Sequence, residues 1–170
     1  MRAMGHLDHR AAAPASVRVY VLTVSDTRTA STDTGGAAIA TLLQEAGHQV
    51  TARDIVRDEP GDVRSKVEAQ LANDDVQAII TTGGTGVSAR DTTFEVISAL
   101  LEKRLDGFGE LFRMLSYEQI GAAAMLSRAV AGLARRTIII SLPGSEHAVR
   151  LAMTKLVLPE LGHLVREATR

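Results

Sequence analysis

The chain has 170 residues and a formal net charge of −1, with 45% hydrophobic residues but only 3% aromatic ones. That length suits one domain with a single core of Val, Ile, Leu and Ala, and the near-neutral charge gives no bulk attraction to nucleic acid or an anionic membrane. The absence of cysteine excludes a disulfide framework, a thiolate zinc site and thiol catalysis, and it fits a cytoplasmic, reducing setting.

In chain order, Met1 to Ser16 lacks apolar periodicity and reads as a disordered tail, with residues 17–170 as one domain. Its His6 and His9 read as solvated. Val17 to Val24 is an apolar, β-branched run that ends in the polar cluster Ser25-Asp26-Thr27-Arg28, as a buried strand entering a loop would. Asp33 then stands as the cap of a helix that Gly47 stops. His48 to Val56 predicts a second strand, Pro60 to Ala72 a second helix with Pro near its start, and Val76 to Ile80 a third strand.

Thr92 to Leu101 has helical spacing. Asp106-Gly107-Phe108-Gly109 breaks the pattern before another helical stretch, Glu110 to Leu126. Thr137 to Leu142 predicts the last core strand, and Pro143-Gly144-Ser145 turns it into a helix ending near Leu158. No run reaches the ~20 apolar residues that span a bilayer. The alternation predicts a three-layer α/β fold, a mostly parallel central sheet with helices on both faces.

Ligands of open α/β sheets bind beyond the carboxyl ends of the strands, which directs attention to three polar loops: 25–28, 81–91 and 143–145. In the second, Thr81-Thr82-Gly83-Gly84-Thr85-Gly86 lets backbone N–H groups approach an anion, and a helix N-terminus follows. Spacing alone leaves two readings open there, a phosphate cradle or a tight strand-to-helix turn. Arg90 adds a cation and Asp91 a hard oxygen ligand for Mg²⁺. The loop lacks the Gly-Lys-Ser/Thr of a Walker A sequence, and it does not follow the first strand as a Rossmann fingerprint would.

Asp58-Glu59 is either a second acidic contribution to the same sheet edge or a charge cluster at a helix N-terminus. Ser127-Arg128 can bind a phosphate or a polar heterocycle, or simply end a helix. Pro143-Gly144-Ser145 offers another anion-binding helix start or a simple cap at Ser145. His48, His147 and His163 lack ligand spacing, and none is assigned a catalytic role.

Together, Val24-Ser25-Asp26-Thr27-Arg28, Thr81 to Gly86 with Arg90-Asp91, Gly107-Phe108-Gly109-Glu110, Leu126-Ser127-Arg128-Ala129 and Leu142-Pro143-Gly144 resemble the MoaB/MogA family of molybdenum cofactor biosynthesis. The likeness runs from about Val17 to about Leu164, and the stretch Asp106 to Ser116 is most similar to the MoaB branch. It implies a molybdopterin-binding domain and, for active members, adenylylation of molybdopterin by MgATP with release of pyrophosphate. The alternative within the pathway is a non-catalytic molybdopterin-binding or carrier protein.

Carried over by motif, Asp58 and Asp91 would hold Mg²⁺ and act in catalysis. Thr82, Gly83, Gly84, Thr85 and Gly86 would cradle phosphates, and Ser25, Asp26, Ser127, Arg128, Pro143, Gly144 and Ser145 would complete the pocket. The resemblance also implies a homo-oligomer, a trimer or a hexamer built from trimers, and allows for other proteins of the pathway as partners. Two positions depart from the family pattern, Arg57 where a proline often precedes the first acidic residue and Phe94 where one often follows Thr93.

Overall fold

A computed structural model describes residues 13–170. The expected tail therefore lies outside the described residues up to position 12, His6 and His9 included. From Ala13 the chain lies against the last helix, where a Cβ on Gly162 would come within 2.6 Å of the Pro14 carbonyl oxygen.

Six strands form one sheet in the order β2-β1-β3-β6-β5-β4. The strands are β1 (Arg18–Val24), β2 (Gln49–Val56), β3 (Ala78–Thr82), β4 (Lys103–Arg104), β5 (Val130–Ala134) and β6 (Thr137–Leu142). The helices are α1 (Thr34–Glu45), α2 (Pro60–Leu71), α3 (Thr93–Leu100), α4 (Asp106–Ile120), α5 (Glu146–Ala152) and α6 (Leu158–Thr169). β2, β1, β3 and β6 run parallel, whereas β5 and β4 are antiparallel additions on the far edge. The mostly parallel α/β sheet is thus as expected.

Strand periodicity divides the core into two layers. Val19 and Val21 of β1, Ile80 of β3 and Ile138 and Ile140 of β6 pack with Ile39, Leu43, Phe112, Met153 and Leu161 on one face. Tyr20, Leu22, Ile79 and Ile139 alternate to the other, against Val63 and Val67 of α2 and Val96 and Ile97 of α3. Both faces of the central strands are dry, which explains their continuous apolar runs. Each fully buried Ile, Leu or Val contributes on the order of 1.5–3 kcal/mol.

Several boundaries differ from expectation. β3 ends at Thr82 rather than Ile80, because Thr81 and Thr82 are buried and stay in register with Ser141 and Leu142 of β6. α4 starts at Asp106 instead of after Gly109, and it stops at Ile120, where Gly121 turns with φ +62° into a short 3₁₀ helix, Gly121–Leu126. Gly109 is required inside that helix, since a Cβ there would meet the Ala129 carbonyl and the Arg113 guanidinium at 2.9 Å.

Strand β5 was not expected. Val130-Ala131-Gly132-Leu133-Ala134 has little β-branched content, and it joins β6 through Arg135-Arg136, with Arg135 at φ +54°, in place of an Asn-Gly turn. The C-terminal helix also runs past Leu158. One wide turn, Met153–Val157, absorbs the loss of an N–H at Pro159, and α6 continues to Thr169.

Candidate functional site

The carboxyl ends of β1, β3 and β6 open onto a cavity of about 460 Å³. Its floor is the glycine loop. Gly83 has φ +101° and donates its N–H to the Leu142 carbonyl at 3.0 Å, while a Cβ there would lie 2.1 Å from the Val24 carbonyl oxygen. Gly84 has φ +67°, and a Cβ would meet Thr93 Oγ1 at 2.1 Å and Asp58 Oδ2 at 2.5 Å. No other residue type fits either position without moving the sheet ends or α3.

The Thr82 hydroxyl donates to the Pro143 carbonyl at 2.8 Å, tying the end of β3 to the loop after β6. Gly144 closes that side at 3.4 Å from the Gly83 Cα, measured from its own hypothetical Cβ. Beyond Gly83, the amides of Gly84, Thr85 and Gly86 find no protein acceptor among the described residues. They line the cavity with their donors available.

Asp91 stands at the cavity wall. Its Oδ2 accepts the Ser88 N–H at 3.0 Å and the Ser88 hydroxyl at 2.6 Å, while Oδ1 takes no hydrogen bond among the described residues. Asp58, by contrast, is 6% exposed and sits behind the loop. Its Oδ1 accepts from the Thr92 N–H at 3.2 Å and hydroxyl at 2.8 Å and from the Thr93 hydroxyl at 3.5 Å, so it fastens the start of α3. Among the described residues no group of three or more His, Cys, Asp or Glu side chains is placed to hold a metal. That donor set fits Mg²⁺ carried in by phosphate oxygens and met by a carboxylate such as Asp91, but not a resident ion in an all-protein cage.

Of the other residues singled out from the sequence, Ser25, Ser127, Pro143 and Gly144 line the cavity with the loop. Ser25 Oγ accepts the N–H groups of Thr27 at 3.2 Å and Arg28 at 3.0 Å, so it shapes its own turn. Asp26, Arg128 and Ser145 stand outside that lining. Arg90 clasps Asp26 through its Nε and Nη2 at 2.9–3.1 Å and reaches Glu59 at 2.9 Å. Those hydrogen bonds hold the Asp26 carboxyl below the ordinary carboxylate range.

Arg128 acts as the loop's strut. Its guanidinium donates to the carbonyls of Thr85 at 3.1 Å, Gly86, and Asp91 at 3.2 Å, pairs with Glu95, and lies 4.8 Å from the centre of the Phe94 ring. That pairing lowers the Glu95 pKa. Arg104 approaches the same ring at 5.9 Å, so the aromatic residue that departs from the family pattern has a cation-binding role here. Ser145 caps α5, accepting the Ala148 N–H at 3.2 Å.

Arg28, Asp33 and Gly35 also line the cavity and were not singled out as site residues. Asp33 is 3% exposed; it accepts the Thr23 hydroxyl at 2.8 Å and the Gly36 N–H at 2.9 Å and pairs with Arg53 at 3.4 Å. Its sequence signal was that of a helix cap, which is also what it does. Gly35 brings the first turn of α1 to the cavity, adding a second positive helix end.

A family model described as "Probable molybdopterin binding domain" matches residues 20–163. Molybdenum cofactor biosynthesis protein B of Bacillus cereus is 51% identical over 168 residues, covering 98% of this chain and 99% of that protein. The protein of the same name from Bacillus subtilis is 50% identical over 161 residues, or 94% and 95% of the two chains. Among solved structures, one molybdenum cofactor biosynthesis protein B superposes with a TM-score of 0.89 at 52% identity, over 92% of this chain and 98% of that one. The tungsten cofactor synthesizing protein MoaB of Pyrococcus furiosus gives 0.84 at 33% identity, over 93% and 100%.

Proposed function

The chain belongs to the MoaB/MogA family of molybdenum cofactor biosynthesis proteins, and from that premise we propose that it binds molybdopterin and adenylylates it with MgATP. The single observation that carries this reading is the set of three available amides, Gly84 to Gly86, in one cavity with the open Oδ1 of Asp91. Fixed donors of that kind are matched to phosphoryl oxygens, and they need no rearrangement as charge develops.

In the proposed reaction a terminal phosphate oxygen of the pterin attacks the α-phosphorus of ATP in line. The new P–O bond forms as the bond to pyrophosphate breaks, and pyrophosphate leaves with the electron pair. Little covalent work falls to the protein, which must hold two anionic ligands in register. The Gly84–Gly86 amides bind the phosphoryl oxygens, Ser25, Ser127 and the Pro143–Gly144 turn bound the ligand, and the Asp91 carboxylate would hold Mg²⁺ brought with ATP, which would supply neutralisation of phosphate charge. Asp26 and Arg128 serve by holding the loops, and Asp58 by fixing α3 beneath them.

Incubation with molybdopterin, ATP and Mg²⁺ is expected to yield adenylyl-molybdopterin and pyrophosphate. No product above an enzyme-free control would contradict the reading. One feature favours a pterin carrier instead, because Asp58, expected as a second metal ligand, has an oxygen already engaged by Thr92 and Thr93. Tight pterin binding without ATP turnover would support that alternative.

We further propose a homo-oligomer, a trimer or a hexamer built from trimers, acting in the cytoplasm. Supporting it, α4 and the 3₁₀ turn after it expose Leu111, Met114, Tyr117, Ile120, Met125 and Leu126 on one stretch of chain. No helix among the described residues is long and apolar enough to cross a membrane. Sedimentation would read the assembly directly.

A further inference from the structure

A second cavity, of about 380 Å³, lies between α4 and the β5 edge, and it shares one lining residue, Ser127, with the glycine-loop cavity. Most charges around it are already matched. Arg104 pairs with Asp106 at 3.2 Å, and Arg128 is taken up by Glu95 and the loop carbonyls. Arg113 differs. Its guanidinium is partly buried, and among the described residues its one hydrogen bond is a 3.4 Å contact to the Ser127 carbonyl, with no carboxylate in ion-pair range. Gly109 leaves the space that this guanidinium fills. Beside it, the Ser127 hydroxyl is buried and has no hydrogen-bond partner among the described residues.

A sheltered guanidinium without a counter-ion and an unpartnered buried hydroxyl are both donors in want of an acceptor. The planar fork of an arginine matches two oxygens of one anion. Glu110 stands exposed in the lining of the same cavity; its carboxylate repels an anion, so the place for one is against Arg113 and Ser127.

We propose that Arg113 and Ser127 form a second oxyanion subsite, one that takes a phosphoryl group. It seats the phosphate of one ligand while the glycine loop seats the other, with Ser127 at the junction. That place in the reaction rests on the adenylylation reading; the subsite itself rests on the geometry.

The test is an NMR titration of the full chain in its native assembly with inorganic phosphate, and separately with acetate, at constant ionic strength. The Gly84–Gly86 amides report on the loop, and the Arg113 Nε–H and Ser127 amide report on the second subsite. Phosphate is expected to move both sets. Arg113→Gln should weaken the response at Ser127 about tenfold while the loop amides respond as before. Ser127→Ala, which removes only the hydroxyl, should weaken the response at the Arg113 Nε–H, and it covers the case in which Arg113→Gln fails to fold.

A silent Arg113 Nε–H, or a Ser127 response untouched by Arg113→Gln, overturns the subsite. Equal affinity for acetate overturns the assignment to phosphate. Movement at Arg113 with silent loop amides leaves the subsite standing and removes the proposed function instead.

Discussion

The loops after β2 and after β3 each bring an aspartate to the same end of the sheet, and the two side chains end in different circumstances. Asp58 is buried, with one oxygen spent on Thr92 and Thr93. Asp91 lines the cavity with one oxygen engaged by Ser88 and the other open. Residue type and position in the fold are alike, so the difference comes from neighbours. Thr92 and Thr93 stand where they can solvate Asp58, and a buried carboxylate must be solvated by something. A carboxylate serving structure and one facing a ligand therefore look the same until their partners are known.

The largest effect should come from Gly83, which opens the loop after β3 and packs against the end of β1. Gly83→Ala adds a Cβ 2.1 Å from the Val24 carbonyl at φ +101°, and it should cost about 3 kcal/mol or more in urea unfolding and abolish phosphate binding at the loop. A fully stable Ala variant would show that the loop can shift, and would remove the rigid cradle.

The two aspartates should then separate by readout. Asp58→Ala is expected to lose about 1.5–3 kcal/mol of stability, since it leaves the Thr92 and Thr93 donors without their charged acceptor. Asp91→Asn should change stability by no more than about 0.5 kcal/mol, yet lower Mg²⁺-dependent turnover on the order of 100-fold. Equal stability losses with equal turnover losses would erase the distinction.

A smaller effect is expected one layer out. Phe94→Ala removes the ring beneath Arg128 and should cost about 1 kcal/mol, with KM for ATP rising more than kcat falls because the loop is less well held. Phe94→Tyr should restore both. The smallest concerns pH. Arg90 holds Asp26 below its ordinary pKa, so the clamp between the two loops is intact above the unfolded carboxylate range and is lost only as pH falls through the depressed value, on the acid side of that range. An NMR titration of the Asp26 carboxyl should show that depressed midpoint, and Arg90→Gln should return it toward normal.

How much of this could be read from the sequence follows the same divide between local and neighbour-determined properties. The buried runs of β1, β3 and β6 and the capped start of α1 carry their signals within a few residues, and the glycine loop announces itself through residues that only a left-handed backbone needs. β5 does not. Its Gly132 is demanded by the Lys103 carbonyl, 2.3 Å from a hypothetical Cβ, on a strand distant in sequence. Gly109 likewise looked like a helix breaker because the Ala129 carbonyl and Arg113 that require it come from elsewhere. Arg128 shows the same limit at the site, since a Ser-Arg pair after an apolar stretch says nothing of the three carbonyls it would gather.

The most direct test is to measure pyrophosphate release and adenylyl-molybdopterin together, from molybdopterin and ATP, with Mg²⁺ and with it chelated, for the unaltered chain and for Asp91→Asn. The account predicts equimolar products that require Mg²⁺ and the Asp91 carboxylate. Saturable pterin binding with no pyrophosphate from the unaltered chain would contradict it.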